Sequence, residues 1–131
     1  MKSLSMLLGM LIATLLAACA PDDLDFSYSD LPPGDPVRGA EVFSQPVDGG
    51  ASCLTCHVLD EGRSAGPSLQ GYGAIAAGRV ERQSAEDYTF YSILRPARHI
   101  VQGYSNTMPG DYEQKLSRQV IADLIAYLLS L

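Results

Sequence analysis

Cys53, Cys56 and His57 are the residues of this chain whose types and spacing most directly imply chemistry. They stand in the run Cys53-Leu54-Thr55-Cys56-His57. Two thiols at this separation can add across two vinyl groups on one edge of a haem, giving two thioethers. A histidine directly after the second thiol is then drawn beneath the iron as its proximal ligand. With three Cys and two His among 131 residues, chance would give the pattern in about one such chain in a thousand. Two other chemistries use similar residues. A zinc site needs four ligands, and only His99 could join Cys53, Cys56 and His57. A thioredoxin-like dithiol sits between a strand and a helix, whereas Gly49-Gly50-Ala51-Ser52 precede this motif and Gly62, Gly66 and Pro67 follow it. The surroundings favour one covalently bound haem c, with its iron.

A second axial ligand is expected at Met108, the one methionine beyond the first nineteen residues. It lies in the polar run Ser105-Asn106-Thr107-Met108-Pro109-Gly110. A thioether in that place raises the haem potential and closes the iron to other ligands. Pro109 fixes its own φ and restrains the residue before it. A lone methionine is also ordinary core filler, but this one sits among turn formers. His99, following Arg95-Pro96-Ala97-Arg98, is the competing ligand and could equally be a surface or propionate-facing histidine.

The elements that must position these groups begin after a leader. Met1 and Lys2 make a short positive start, and Leu4 to Ala18 is a nearly unbroken apolar run. It is shorter than the roughly 20 residues of a spanning helix and suits the apolar region of a signal peptide. It ends in Leu16-Ala17-Ala18-Cys19, which resembles the lipobox of bacterial lipoproteins. That resemblance implies removal of residues 1–18 and a lipidated Cys19. The alternative is an uncleaved anchor helix; either way the domain is expected to be exported and held at a membrane. Ala20 to Asp35 carries five Asp, three Pro and no Lys or Arg. With Cys19, residues 19–35 are expected to form an acidic, proline-punctuated tether, the alternative being an extended strand lying on the domain. Residues 36–131 would be the folded domain. The net charge of the whole chain is −6, but from Val37 onward there are eight basic and ten acidic residues, so the domain carries about −2. No basic patch or glycine-rich phosphate loop points to nucleic acid.

Helix signals are frequent and strand patterns are missing, so an all-α fold is expected. Asp35-Pro36 can open a helix over Val37 to Ser44, stopped near Pro46. Ser84-Ala85-Glu86-Asp87 resembles a capping box before a helix from about Ala85 to Arg95. Ser117 can cap a last helix from Arg118 to Ser130, whose Val120, Ile121, Leu124, Ile125, Leu128 and Leu129 recur at helical spacing.

From Gly34 onward the chain resembles the class I cytochromes c, which implies a small fold of three to five helices around one covalent haem. In that family the first helix carries a glycine and, four residues on, an aromatic; here these are Gly39 and Phe43. The last helix supplies an aromatic against them, here Tyr127. Gly66-Pro67-Ser68-Leu69 matches the family's stretch after the haem motif, and the resemblance implies that the Pro67 carbonyl accepts a hydrogen bond from the His57 ring. Met108-Pro109 matches the distal ligand pair. The chain has no Trp, so the propionate contact often made by Trp would fall to Arg79, Tyr72, Tyr104 or Asn106, each of which could also be a plain surface residue. A narrower likeness runs through Ser84-Ala85-Glu86-Asp87-Tyr88, Ser92-Ile93-Leu94-Arg95-Pro96 and Gly103-Tyr104. It is similar to the monohaem domains that are attached to subunit II of bacterial haem–copper oxidases or serve beside such complexes. The resemblance implies an electron carrier rather than an enzyme, tethered outside the cytoplasm. Its partners would be redox donors and acceptors such as a haem–copper oxidase or a quinol-oxidising complex. Lys115 is the one lysine left after removal of the leader, so docking would lean on apolar contact, or on the few arginines, and depend weakly on salt. A fixed subunit of a redox complex shares the same site chemistry, and a haem enzyme or ligand sensor would need an open distal site.

Overall fold

The computed structural model describes residues 24–131. The expected signal segment and Cys19 lie outside the described residues. Five α-helices form the frame: α1 (Pro36–Ser44), α2 (Tyr72–Ile75), α3 (Ala85–Leu94), α4 (Tyr112–Lys115) and α5 (Arg118–Leu129). Single 3-10 turns stand at Tyr28–Asp30, Cys53–Thr55, Ala76–Gly78 and Pro96–Arg98. Among the described residues there is no strand, and no helix is long and apolar enough to cross a membrane.

The three main helices start where their caps lie. The Asp35 carboxylate accepts from the backbone N–H groups of Val37 and Arg38, with Pro36 at the first helical position. Ser84 accepts from the Asp87 N–H and Ser117 from the Val120 N–H. α3 ends at Leu94 rather than Arg95. Pro96 disfavours helical backbone in the residue before it, and Arg95 sits at φ −138°, ψ 60°. α2 and α4, four residues each, were not expected; one turn is too short to carry a periodic signal.

α1 crosses α5 at close range. A Cβ at Gly39 would collide with the Asp123 carbonyl and stand 2.6 Å from Tyr127 Cβ. Glycine is therefore required at the crossing. One turn further on, the Phe43 and Tyr127 rings meet at 5.5 Å. The backbone of α5 is approached in the same way by Gly34, beside the Ala122 carbonyl, and by Gly73, beside the Leu129 carbonyl. The core between these elements holds Ile121, Leu124, Ile125 and Leu128 from α5, Phe90, Ile93 and Leu94 from α3, and Phe43, Leu69, Tyr72 and Ala76.

Residues 24–35, expected within the tether, lie on the domain instead. Leu24, Phe26, Tyr28 and Leu31 pack against the core. The Phe26 and Phe90 rings meet edge-to-face at 5.5 Å, and the Arg118 guanidinium lies over the Phe26 ring, 4.4 Å from its centroid. The Gln119 side-chain amide donates to the Pro33 carbonyl at 3.0 Å. Acidic and proline-rich composition described the exposed half of this strap. The apolar half, alternating at Leu24, Phe26 and Tyr28, is what an extended chain with one face on a core requires.

Candidate haem site

The Cys53–Thr55 turn gathers the attachment residues. Both the Cys56 and His57 N–H groups bond back to the Cys53 carbonyl, at 3.2 and 3.0 Å. The following loop folds under them. Gly66 N–H donates to the Cys56 carbonyl at 2.8 Å, Leu69 N–H to the Val58 carbonyl at 2.9 Å, and the Ser68 hydroxyl to the Asp60 carbonyl. The loop thereby presents the Pro67 carbonyl to the His57 ring, 2.8 Å from Nδ1. A carbonyl only accepts, so Nδ1 carries the proton and Nε2 is left unprotonated, with a lone pair free to act as a ligand. Gly66 closely approaches the same ring: a Cβ there would come 2.5 Å from His57 Cε1.

These groups line a mostly apolar cavity of about 320 Å³. Cys53, Cys56, His57 and Pro67 contribute to one part of its wall. Met108 contributes to another, with Val101, Tyr104, Asn106 and Pro109. Tyr72, Arg79 and His99 line it too, so every site residue expected from sequence within the described residues is brought to one cavity. His99 is exposed and stands edge-on to Tyr88 at 5.7 Å. The Tyr72 hydroxyl is engaged by Thr89 Oγ1 at 3.0 Å, and Thr89 donates on to the Ala85 carbonyl at 2.6 Å. Among the described residues no group of three His, Cys, Asp or Glu side chains is placed to hold a metal ion.

Burial disfavours charge on the ionisable side chains of this wall. Burial pushes the Cys53 thiol up. A thioether, with no proton to lose, bears no such penalty. Burial also pushes Tyr72 up to about 12. Tyr112, half-buried on α4, is raised by the same desolvation. Sequence reasoning missed the contribution of α3: Tyr88, Thr89, Ser92 and Ile93 all face the cavity. Their i, i+1, i+4, i+5 spacing was available as a signal, but its mixed polarity hides it from a purely apolar search.

A helical shell closing on a cavity that presents paired thiols and a histidine oriented by a backbone carbonyl is the site of a covalent haem protein. The chain belongs to the cytochrome c family, whose model matches residues 36–131. It is similar to a cytochrome c of Ulva intestinalis, 25% identical over 115 residues that cover 78% of this chain and 95% of that protein. It is also similar to a cytochrome c of Ginkgo biloba, 26% identical over 115 residues covering 78% and 93% respectively. Members of this family bind covalent haem c through their paired cysteines and carry electrons. Cys53 and Cys56 have the spacing that this attachment needs.

Proposed function

We propose that this chain is a membrane-tethered monohaem electron carrier, with His57 and Met108 as the two axial ligands. The observation that carries the reading is the gathering of Cys53, Cys56, His57 and Met108 around one apolar cavity, with His57 Nδ1 committed to the Pro67 carbonyl. When bound, the haem supplies an iron that gains and loses one electron. The protein's part is to hold it. Cys53 and Cys56 fix it covalently, and Pro67 and Gly66 set the tilt and tautomer of the His57 ring. The apolar wall of Phe43, Leu69, Ile93 and Leu128 excludes water. Arg79, which lines the same cavity, is proposed to face the propionates; Tyr72 lines the cavity too, but its one hydroxyl proton is taken by Thr89, so it has none to donate to a propionate.

Residues 1–18 are proposed to be removed and Cys19 lipidated, placing the domain outside the cytoplasm on a bacterial membrane. There it would pass electrons between respiratory complexes, one a haem–copper oxidase or a quinol-oxidising complex. Tethering raises the local concentration of such partners, so tight binding is not needed. A mobile carrier is favoured over a fixed subunit because the exposed large apolar side chains Val37, Leu54, Leu59, Ile75 and Ile100 do not share one helix. Lys115 is paired with Asp111 at 2.8 Å, so it adds little free positive charge for docking.

The test is the reduced absorption spectrum of the full chain, expressed in an exporting host with haem-attachment machinery, with and without carbon monoxide. Covalent haem and no response to carbon monoxide are expected, with a response in Met108→Ala. Carbon monoxide binding as readily to the intact protein as to Met108→Ala would overturn the ligation and move a ligand sensor or enzyme ahead. Fatty-acid labelling that survives Cys19→Ser would overturn the anchor.

A further inference from the structure

The loop that carries Met108 is held to itself by short local bonds. Tyr104 N–H donates to the Val101 carbonyl at 3.1 Å and Thr107 N–H to the Ser105 carbonyl at 2.9 Å. Neither fixes the loop to the opposite side of the cavity. Arg63 does. It stands six residues beyond His57 and three before Gly66, on the loop whose next residues, Ala65 to Leu69, line the haem cavity. Its Nη2 donates to the Gly103 carbonyl at 2.7 Å, a bond between residues 40 positions apart. The same guanidinium lies 4.8 Å from the centroid of the Tyr104 ring, itself part of the cavity wall. Gly103 has φ +88°, a conformation that side-chain-bearing residues rarely adopt. The planar guanidinium suits this double contact, because it can donate in its plane and stack on a ring with its face.

We propose that Arg63 is a positioning residue that clasps the Met108 loop to the histidine-side loop and so keeps the thioether seated. The inference rests on Met108 being the distal ligand. Without the clasp the loop opens more often, and an external ligand competes for the iron in proportion to the open fraction. The residue acts through Met108 and does not itself touch the reacting centre.

The test is imidazole titration of the oxidised holoprotein, followed by its absorption spectrum, for wild type, Arg63→Ala, Arg63→Lys, Tyr104→Phe and Met108→Ala, with thermal midpoints recorded in parallel. Arg63→Ala is expected to bind imidazole about five- to tenfold more tightly than wild type, the scale of one ordinary solvent-exposed hydrogen bond. Arg63→Lys should fall close to Arg63→Ala, because an ammonium lacks the planar fork. Tyr104→Phe, which keeps the ring face, should match wild type. A lowered midpoint with unchanged imidazole affinity in Arg63→Ala would mean a merely structural role and would overturn the clasp. If Met108→Ala binds imidazole tightly while Arg63→Ala behaves as wild type, the clasp fails and the Met108 ligation stands. If wild type and Met108→Ala bind alike, the ligation itself fails, and the clasp with it.

Discussion

Arg38 grips Asp123 with two nitrogens, Nε 2.9 Å from one carboxylate oxygen and Nη2 3.0 Å from the other. The carboxylate is buried on α5 while the guanidinium is half exposed on α1. Asp123 also accepts from the Asp35 backbone N–H at 2.7 Å and from the Gln119 amide at 2.9 Å. One buried carboxylate therefore ties the start of α1 to the helix it crosses, beside the close approach at Gly39. The Arg38 guanidinium foremost, with the Asp35 N–H and Gln119, holds its carboxyl below the usual range, against the opposing effect of burial. A depressed folded-state pKa contributes stability above the unfolded value, and that contribution is lost as pH falls through the folded value. Asp123→Asn is expected to cost about 2 kcal/mol at pH 7. The gap to wild type should close on acidification below about pH 4. Denaturant unfolding at a series of pH values checks this, and a gap that stays constant to low pH would show that charge is not its source.

Gly66→Ala tests the seat of the proximal histidine. The added Cβ would lie 2.5 to 2.9 Å from three atoms of the His57 ring, so the ring or the loop must shift and the bond to Pro67 must lengthen. Overpacking of this kind costs about 1–3 kcal/mol. The variant should attach haem covalently but with a lower thermal midpoint and an altered reduced spectrum. A wild-type spectrum and midpoint would mean that the loop absorbs the methyl group freely.

The parts of this molecule that were legible in sequence are those with local signals. Asp35, Ser84 and Ser117 mark three helix starts because capping acts within three residues. The haem motif is legible because its chemistry demands five consecutive positions. The meeting of Gly39, Phe43 and Tyr127 came through family resemblance, not from any local pattern. What escaped is what sequence separation hides. Arg38 and Asp123 are 85 residues apart, and Arg63 and Gly103 are 40 apart. No rule of spacing pairs such residues, since the fold alone brings them together. The one-turn helices α2 and α4 escaped for the opposite reason, being too short to show a period.

Tyr72 predicts a specific alkaline weakness. Its buried phenol is pushed up to about 12 from 10.0, so the folded state keeps a proton that the unfolded chain releases. The fold is unaffected below pH 10 and loses stability from there to about 12, by roughly 2–3 kcal/mol. Since Thr89 donates to the Ala85 carbonyl, the phenol donates to Thr89. Tyr72→Phe should therefore cost about 1 kcal/mol at pH 8, yet fall less steeply than wild type above pH 10. Parallel slopes for the two proteins would place the alkaline loss on another group.

The strap of residues 24–35 changes what a tether at this end could do. If Cys19 is lipidated, five peptide steps separate it from Leu24, a reach of at most about 18 Å, whereas sixteen free residues could extend about 50 Å. The domain would then sit near the membrane with its strap side toward the anchor. Residues 24–35 contribute nothing to the lining of the haem cavity, so this mounting leaves the cavity clear of the strap. The mount depends on Phe26, which contacts both Phe90 and Arg118. Because Phe26 is only partly buried, Phe26→Ala should cost about 1–2 kcal/mol, less than a full core deletion. The haem spectrum should not change, but limited proteolysis should cut faster within residues 24–35. If Phe26→Ala left both stability and cleavage at wild-type values, the strap would not be docked in solution, and the longer tether would be the correct picture.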